Sequence, residues 1–248
     1  MAKISETSFA NRYGRGMELY TYISGLNGYN PQKKEVQKDS FRDLLNRINT
    51  LNNSVTEKKN LLKVKIEERD KMIKSAQGIV KLSGKVRDLV GATIDGGKNS
   101  KTFKQIQTEC QKMTSNTRKK SDVAEPPAGS TPPDNATKVQ RSTAEAGINA
   151  VVQYAKNIAE VIKHIPNYHS AHPDLTIDGF NSKVTAAAQA VQDVHAAYDQ
   201  YDIAVSSRHD LYEGAMGLKE LMTRIHDYIA YEFGKESEEF KNAAKIRY

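Results

Sequence analysis

Two long tracts of the chain carry an apolar side chain at every third or fourth position, which is the pattern of an amphipathic helix. In the first tract the apolar stripe consists of Phe41, Leu44, Leu45, Ile48, Leu51, Val55, Leu62, Ile66, Ile73, Ala76, Ile79, Val80, Val86 and Leu89. In the second it consists of Phe180, Val184, Ala187, Val191, Val194, Tyr201, Val205, Leu211, Ala215, Leu218, Leu221, Ile225 and Ile229. Residues 40–90 contain no Pro, and their first Gly is Gly78. The pattern therefore predicts long helices in both tracts.

The ends of these tracts are set by short polar side chains. Asp39 or Ser40 in the first tract and Asp178 in the second are expected N-caps, because their side-chain oxygens can accept hydrogen bonds from free backbone N–H groups. Each tract is either one helix or two helices joined by a tight polar turn. If the first tract is two helices, its likeliest break is at residues 57–60, where the stripe is interrupted. The matching residues 196–199 offer no turn residue stronger than Asp199, so long helices, bent or straight, are favoured in both tracts.

A shorter helical segment precedes each long tract, over residues 8–24 and 142–165. Its apolar positions in the first case are Phe9, Tyr13, Met17, Tyr20 and Ile23, and in the second case Ile148, Val151, Val152, Ala155, Ile158, Ala159 and Ile162. Ser142 followed by Glu145 fits a capping box. A loop with Gly and Pro breakers follows each segment and contains Tyr29 or Tyr168.

The two halves of the chain resemble each other when residue i is aligned with residue i+139. The paired identities include Tyr29 with Tyr168, Phe41 with Phe180, Val55 with Val194, Arg69 with Arg208, Gly78 with Gly217, Leu82 with Leu221 and Asp88 with Asp227. After a shift of two residues, GKNSKTFK at residues 97–104 matches GKESEEFK at residues 234–241 at five of eight positions. The repeated order indicates a duplicated helical unit.

The closing segments are expected to have a structural role. Gly97 and Gly234 would be C-caps, Ser100 and Ser237 would begin a new helical turn, and Phe103 and Phe240 would pack back onto the unit as plugs.

A linker separates the two copies. Residues 114–138 contain four of the seven prolines, in two pairs, and almost no large apolar side chain, so a semi-extended connector is expected. The predicted organisation is a basic helical repeat over residues 1–113, the linker over 114–138 and an acidic, His-containing repeat over 139–248. A single amphipathic helix cannot bury its stripe alone. We therefore expect an all-α, elongated helical bundle of two tandem, pseudo-twofold-related units that share one core.

Composition narrows the class of protein. The single Cys110 cannot form an internal disulfide, no apolar run approaches the roughly 18–20 residues of a membrane span, and no secretory signal is visible at the N-terminus. With 15 Gly and 7 Pro, a turn-rich β-protein is also disfavoured. These features indicate a soluble protein of the cytoplasm.

Charge is unevenly distributed along the 248 residues. Residues 1–123 carry 25 Lys and Arg against 13 Asp and Glu, whereas residues 124–248 carry 12 against 17. A basic half of this kind points to an acidic partner. The acidic half of the same chain, or of a second copy, would be such a partner, and opposite charge would steer two copies together.

Candidate chemistry is sparse. His164, His169 and His172 could offer imidazoles to a metal ion, but their spacing matches no closed structural site and the first repeat lacks them, so no bound metal or cofactor is expected. Cys110 has no nearby His or Asn partner motif and is interpreted as a spectator thiol. Tyr29, Tyr168, Arg69 and Arg208 are the pseudo-symmetric polar candidates for a pocket, with packing and surface pairing as the alternative roles.

The basic first repeat also suggests nucleic-acid binding as a possible function. Basic side chains lie close together along this repeat and could bind phosphate groups, which would release the counterions of a nucleic acid. They are Lys58, Lys59, Lys63, Lys65, Arg69, Lys74, Lys81 and Lys85. Acidic residues are interleaved with them, as on an ordinary solvated helix face, and no aromatic platform lies among them. Nucleic-acid binding is therefore not the favoured function.

The closing motif of the second copy, with Phe233, Gly234, Ser237, Glu239, Phe240 and Lys241, and more weakly that of the first, with Gly97, Ser100, Phe103 and Lys104, resembles a motif of poorly characterised bacterial proteins built from a duplicated helical unit. This resemblance implies a helical bundle and no known activity.

Three functions follow from the sequence. The first is a non-enzymatic structural or protein–protein interaction protein that acts through exposed helix faces and binds itself or another protein. The second is binding of nucleic acid or an anionic surface through the basic first repeat. The third, least favoured, is a metal-dependent enzyme that uses the histidines of the second half.

Overall fold

A computed structural model describes residues 6–118 and 143–248, and within these ranges the chain is all-α. The helices are α1 (Glu6–Gly25), α2 (Lys38–Lys74), α3 (Ile79–Thr93), α4 (Lys101–Arg118), α5 (Thr143–Lys163), α6 (Ile177–Glu213), α7 (Leu218–Phe233) and α8 (Glu238–Ala243). Short 3-10 helices lie at Lys34–Val36, Gly97–Asn99 and Pro173–Leu175. The expected all-α class is confirmed.

The helices form two compact units. Unit 1 consists of Met1–Leu61 and Tyr198–Tyr248, so its described part includes α1, the beginning of α2, the end of α6, α7 and α8. Unit 2 is Leu62–Ala197 and includes the end of α2, α3, α4, α5 and the beginning of α6. Each unit therefore combines helices from both sides of the predicted linker.

Each unit has its own apolar core. In unit 1, Leu19 and Ile23 of α1 pack with Phe41 and Ile48 of α2 and with buried residues of α7, among them Ile225. The core of unit 2 is built mainly from α3, α4 and α5, together with Ile73, Phe180, Val184, Ala187 and Val191. Burial of these side chains removes apolar surface from water, which is the main driving force for folding.

Within unit 1 the long helices α2 and α6 run antiparallel. Asn52 Nδ2 donates to Tyr212 Oη at 3.0 Å, and Lys58 Nζ donates to Gln200 Oε1 at 3.1 Å, so later positions of α2 meet earlier positions of α6. The apolar positions of α2 in this pairing recur every seven residues, at Phe41, Ile48 and Val55. A seven-residue period is the pattern of helices that pack along a coiled-coil seam.

Both long tracts are continuous helices through the positions considered for a turn, as the sequence pattern favoured. α2 continues through residues 57–60, and α6 continues through 196–199. Val55 and Leu62 are both buried and lie seven residues apart, so the polar side chains between them only mark the outer face of one helix. The tracts are instead broken after Lys74 and after Glu213, which places Ala76 and Ala215 in turns.

A glycine fixes each of these breaks. A Cβ added to Gly78 would lie 2.6 Å from the carbonyl carbon of Ile73, and one added to Gly217 would lie 2.9 Å from the carbonyl carbon of Tyr212. Such separations are shorter than real side chains tolerate, so only glycine allows the chain to fold back this tightly. α3 and α7 begin directly after these two residues.

Several expected helix ends differ in detail. α2 and α6 begin one residue before Asp39 and Asp178, which lie in the first turn and are not N-caps. Thr176 caps α6 instead, because its Oγ1 accepts a hydrogen bond from the Gly179 N–H at 3.0 Å. Gln37 and Thr176, the residues that end the preceding 3-10 helices, have the extended backbone typical of an N-cap position, so α2 and α6 begin close behind them.

The closing segments match their predicted roles with one exception. Ser100 Oγ and Ser237 Oγ accept hydrogen bonds from the Phe103 and Phe240 N–H groups at 3.1 and 3.0 Å. Gly234, with φ of 88°, is the C-cap of α7. Gly97 is not a C-cap, because α3 ends at Thr93 with Ile94 as its C-cap, and Gly97 already belongs to the next 3-10 turn.

α1 presents a different face from the one expected. Met17 was placed on the apolar stripe but is exposed, whereas Leu19 is fully buried. Gly16 accounts for the difference: a Cβ added there would lie 2.8 Å from Leu45 Cδ2, so the core approaches α1 at a residue that carries no side chain.

The predicted linker is only partly described. Residues 114–118, expected in the linker, belong to α4, and Ser142 and residues 119–138 lie outside the described residues.

Candidate protein-interaction site

An open groove lies along the N-terminal half of α1 in unit 1. It has a volume of about 810 Å³, and its charged lining residues are Arg12, Arg15, Glu18 and Arg247, joined by Ser8, Ala10, Asn11, Gly14 and Tyr248. We call it the α1 groove. Three arginines face one glutamate there, so its lining is net positive.

A polar network forms one wall of the α1 groove. Arg12 pairs with Glu213 at the end of α6, and its Nη1 donates to Tyr248 Oη at 3.0 Å. Tyr248 Oη donates to Glu213 Oε1 at 2.9 Å, and the Arg12 guanidinium lies 4.6 Å from the centroid of the Tyr248 ring. The network ties the residues after α8 to α1 and α6, and it holds Arg12 in a fixed orientation.

The network and its burial change the pKa values of Glu213 and Tyr248. Burial alone would raise the pKa of Glu213, but the hydrogen bond from Tyr248 and the charges of Arg12 and Lys219 outweigh it and lower that pKa. The pKa of Tyr248 is raised, first by burial and then by its hydrogen bond to Glu213. Glu213 is therefore a carboxylate and Tyr248 a neutral donor at neutral pH.

Arg15 and Arg247, the other two arginines of the α1 groove, are more accessible to a binding partner. Arg15 is about half exposed and pairs with Glu18 of the next helical turn at 2.8 Å. Arg247 is exposed, and its Nε donates to the Ala244 carbonyl oxygen at 3.3 Å. An exposed ion pair such as Arg15–Glu18 contributes little to stability, and the hydrogen bond of Arg247 is to a neutral carbonyl oxygen. Both side chains can therefore exchange their present partners for an incoming carboxylate.

A smaller cavity of about 260 Å³ adjoins the residues after α8. It is lined by Met222, Thr223, His226, Phe240, Ala244, Arg247 and Tyr248. His226 Nε2 lies 3.0 Å from the Ala243 carbonyl oxygen. Burial lowers the pKa of His226, although that carbonyl and the nearby Asp227 partly oppose the shift.

In unit 2 the face that corresponds to the α1 groove is covered. Subtracting 139 from Tyr154 and Asn157 of α5 gives Arg15 and Glu18. α4 lies over both residues of α5, because Asn157 Nδ2 donates to Glu109 Oε2 at 3.1 Å and Lys112 Nζ lies 5.6 Å from the centroid of the Tyr154 ring.

The uncovered face in unit 1 follows from the length of one helix. The closing motif begins both α4 and α8, but α4 has 18 residues and α8 has only six. α8 ends at Ala243 and is followed by a turn at residues 244–245, whereas α4 continues through the buried Met113 to Arg118. No sequence motif marked Arg12, Arg15 or Arg247, because the groove depends on which helix lies over α1.

The pseudo-symmetric tyrosines and arginines have structural positions. Tyr29 Oη donates to the Val36 carbonyl oxygen at 2.6 Å, and Tyr168 Oη donates to that of Leu175 at 2.7 Å. Each unit holds one tyrosine and one arginine of the set, since Tyr29 and Arg208 belong to unit 1 and Tyr168 and Arg69 to unit 2.

Both arginines are only 4% exposed. Arg208 lies 4.2 Å from the centroid of the Phe9 ring, and Arg69 Nη2 donates to Asp70 Oδ1 at 3.0 Å. Their positions fit the packing role considered above.

The three candidate metal-binding histidines are exposed and surround a turn. His164 follows α5 and its Nε2 lies 3.3 Å from Glu160 Oε1, while His169 and His172 lie in the loop before α6. Within residues 6–118 and 143–248, no three His, Cys, Asp or Glu side chains are grouped closely enough to hold a metal ion.

The candidate nucleic-acid residues are divided between the units. Lys58 and Lys59 belong to unit 1, and Lys63, Lys65, Arg69, Lys74, Lys81 and Lys85 belong to unit 2. Several have protein partners: Lys65 Nζ pairs with Glu68 at 2.8 Å, and Lys74 Nζ pairs with Asp70 at 2.7 Å. Arg69 is buried, so it takes no part in an exposed surface, whereas Lys81 and Lys85 are exposed on α3.

Cys110 lies in the core of unit 2, and its Sγ donates to the Ser83 carbonyl oxygen at 3.4 Å. Burial, more than the neighbouring charges, raises the pKa of the thiol to about 11. A catalytic thiol needs the opposite shift, since the thiolate is the nucleophile.

Comparison of the chain with protein-family models, curated proteins and solved structures found no match. The resemblance of its closing motif to duplicated bacterial proteins therefore stays a prediction. Among the described helices, none combines the length and apolar character needed to cross a membrane.

Proposed function

We propose that this protein is a non-enzymatic interaction protein that binds a protein partner through the exposed face of α1. The observation that supports this most directly is the open α1 groove, whose counterpart on α5 is covered by α4. A helix face that α4 covers in one copy, and that the described residues leave open in the other, is a natural docking surface. Arg12, Arg15 and Arg247 would favour a partner that carries carboxylates.

Two further proposals complete this picture. The first is that the chain arose by duplication of one helical unit, because the 37-residue helices α2 and α6 and two of the 3-10 helices recur at a spacing of 139 residues. The second is that the protein acts in the cytoplasm, for which the single, buried cysteine is the supporting observation. The raised pKa of that thiol supports a role without thiol catalysis.

A photo-crosslinking residue placed at position 15 tests the interaction. The matched control carries the same residue at position 104, an exposed site on α4 of unit 2. Illumination of the protein in a native extract is expected to give discrete adducts of higher mass from position 15 and none from position 104. Equal labelling at both positions, or no adduct at position 15, would contradict a specific role for the α1 face.

Binding of nucleic acid or an anionic surface is the alternative, supported by the exposed Lys81 and Lys85 on α3. Counterion release would make such binding strongly salt-dependent. Retention on heparin up to about 150 mM salt, lost when both lysines are changed to Glu, is the result expected from this alternative.

A further inference from the structure

We propose that the occupant of the α1 groove is a second copy of this chain, which inserts the exposed acidic face of its α7. This proposal rests on the proposed function, since it names the partner of the same groove. The inserted surface, called the α7 patch below, consists of Asp227, Tyr231 and Glu232 on α7 and Glu236 in the following turn, all exposed.

The chemistry of the α1 groove selects an acidic partner. On α5, two of the residues beneath α4 are the buried Val151 and Val152, which correspond to Arg12 and Tyr13 on α1. Arg12 already has Glu213 and Tyr248 as partners. A helix that placed apolar side chains over Arg15 and Arg247 would desolvate their exposed guanidinium groups without a new acceptor, which is costly. A partner that brings carboxylates supplies those acceptors.

The α7 patch has the matching charge. Three carboxylates, from Asp227, Glu232 and Glu236, are exposed there, with Lys235 as the nearby basic side chain. Glu232 is only weakly held by its own molecule, because Tyr228 Oη lies 3.4 Å from its Oε2. Arginine binds carboxylates with two parallel hydrogen bonds, so Arg15 and Arg247 suit these groups.

Tyr231 gives the α7 patch an anchor. It is 85% exposed, more than any other large apolar or aromatic side chain in the described ranges. Neither core uses it, so its burial in a partner would add apolar contact without disturbing the fold. Tyrosine and arginine are the residues most enriched among those that dominate protein–protein binding energy. A Tyr231 ring beside Arg15 would also gain a cation–π contact.

The contact joins two different surfaces, so each copy offers one groove and one patch. Such a heterologous contact closes into a small ring or continues as an open chain, depending on its rotation. Both surfaces belong to unit 1, so each is complete within a single compact unit.

Sedimentation of the purified full chain over a range of concentrations tests the proposal. The wild type is expected to self-associate, and more weakly at high salt because exposed charges are screened. The groove variant, Arg15→Glu with Arg247→Glu, and the patch variant, Tyr231→Ala with Glu232→Lys, are each expected to weaken association by about tenfold or more. The control variant, Lys101→Glu with Lys104→Glu on α4, carries the same charge change as the groove variant and should associate like the wild type.

Mixing the groove variant with the patch variant gives the sharpest result. The first keeps an intact α7 patch and the second keeps an intact α1 groove, so together they can form one contact and no more. We expect a 1:1 complex that grows no further. Thermal unfolding of each variant alone shows that it is folded, so a failure to associate reports on the surface.

Each other outcome has a separate meaning. Wild-type association that survives in both variants overturns the assignment of the second copy to this groove, while the proposed interaction function stands. A wild type that stays monomeric overturns the inference as well. Crosslinks from position 15 to a different protein would then support the proposed function, and their absence would contradict it.

Discussion

Equivalent residues in the two halves of the chain make the same hydrogen bonds. Tyr29 and Tyr168 each donate a hydrogen bond to a carbonyl oxygen seven residues later, at the end of a 3-10 turn. Gly28 and Asn167, the residues just before them, both have a positive φ, of 86° and 57°. Asn is one of the few residues besides Gly that adopt this conformation readily, so the loop survives the change of side chain.

Cys110 is expected to be almost unreactive in the folded protein. Its pKa of about 11, against an ordinary value of 9.0, lowers the thiolate fraction about 100-fold near neutral pH, and burial blocks access as well. Reaction with a disulfide reagent should therefore be at least about 100-fold slower in the native state than in urea. Fast labelling of the native thiol would show that the core of unit 2 opens readily.

His226 should make unit 1 sensitive to mild acid. Its folded pKa lies below the ordinary 6.5, so the unfolded chain takes up the proton first as the pH falls. The stability contributed by neutral His226 is fully present above about pH 6.5 and is lost as the pH falls towards the folded pKa. Urea midpoints at about pH 7.5 and about pH 5.5 measure this loss.

The His226→Gln variant should lose less stability between those two pH values than the wild type does. His209→Gln, on a partly exposed face of α6, is the matched control and should follow the wild type. Equal losses in all three proteins would contradict the assignment of this pH dependence to His226.

At the scale of the helix, α2 is continuous through the position that the sequence offered as its likeliest break. Asn60 is exposed near the middle of this 37-residue helix, inside that stretch. Asn60→Pro should lower the free energy of unfolding by about 3 kcal/mol or more, because proline removes a backbone hydrogen bond and clashes with the preceding turn. Urea unfolding gives this value.

Asn60→Ala is the control at the same site. It should change stability by less than about 1 kcal/mol, because alanine favours a helix slightly more than asparagine does. A proline variant as stable as the alanine variant would mean that the chain bends at this point.

The helices show which features of the structure could be predicted from the hydropathy pattern of the sequence. The apolar stripes identified Phe41, Phe180 and Ile225 as core residues, and the serines of both closing segments as caps, because these depend on local periodicity and local hydrogen bonds. The turns at Gly78 and Gly217 were missed, since a close approach between backbone atoms leaves no mark in the hydropathy pattern. The α1 groove was missed for a similar reason: it depends on which helix covers which face.

At the scale of the whole chain, the two halves depend on each other. The core of unit 1 joins α1 and the beginning of α2 to α7, and the core of unit 2 joins α3 and α4 to α5. Neither half of the sequence contains a complete core. The pairing of helices across a long stretch of chain was not accessible from local patterns, although the sequence did suggest mutual burial.

Fragments 1–118 and 143–248 test this dependence. Each fragment alone is expected to unfold without a cooperative transition, because it exposes apolar faces that the other half covers. Produced together, the fragments should associate and recover a cooperative thermal transition, measured by circular dichroism and compared with the full chain. Two fragments that fold independently would show that each half has a core of its own.

The interleaved composition of unit 1 has a consequence for synthesis on the ribosome. α1 and the start of α2 emerge before α7, against which they pack and which is translated only after residue 217. Unit 2 needs nothing beyond residue 197 and can finish folding earlier. The nascent chain must therefore hold the apolar face of α1 unpaired until α7 has been made, a period in which chaperone binding would protect it from aggregation.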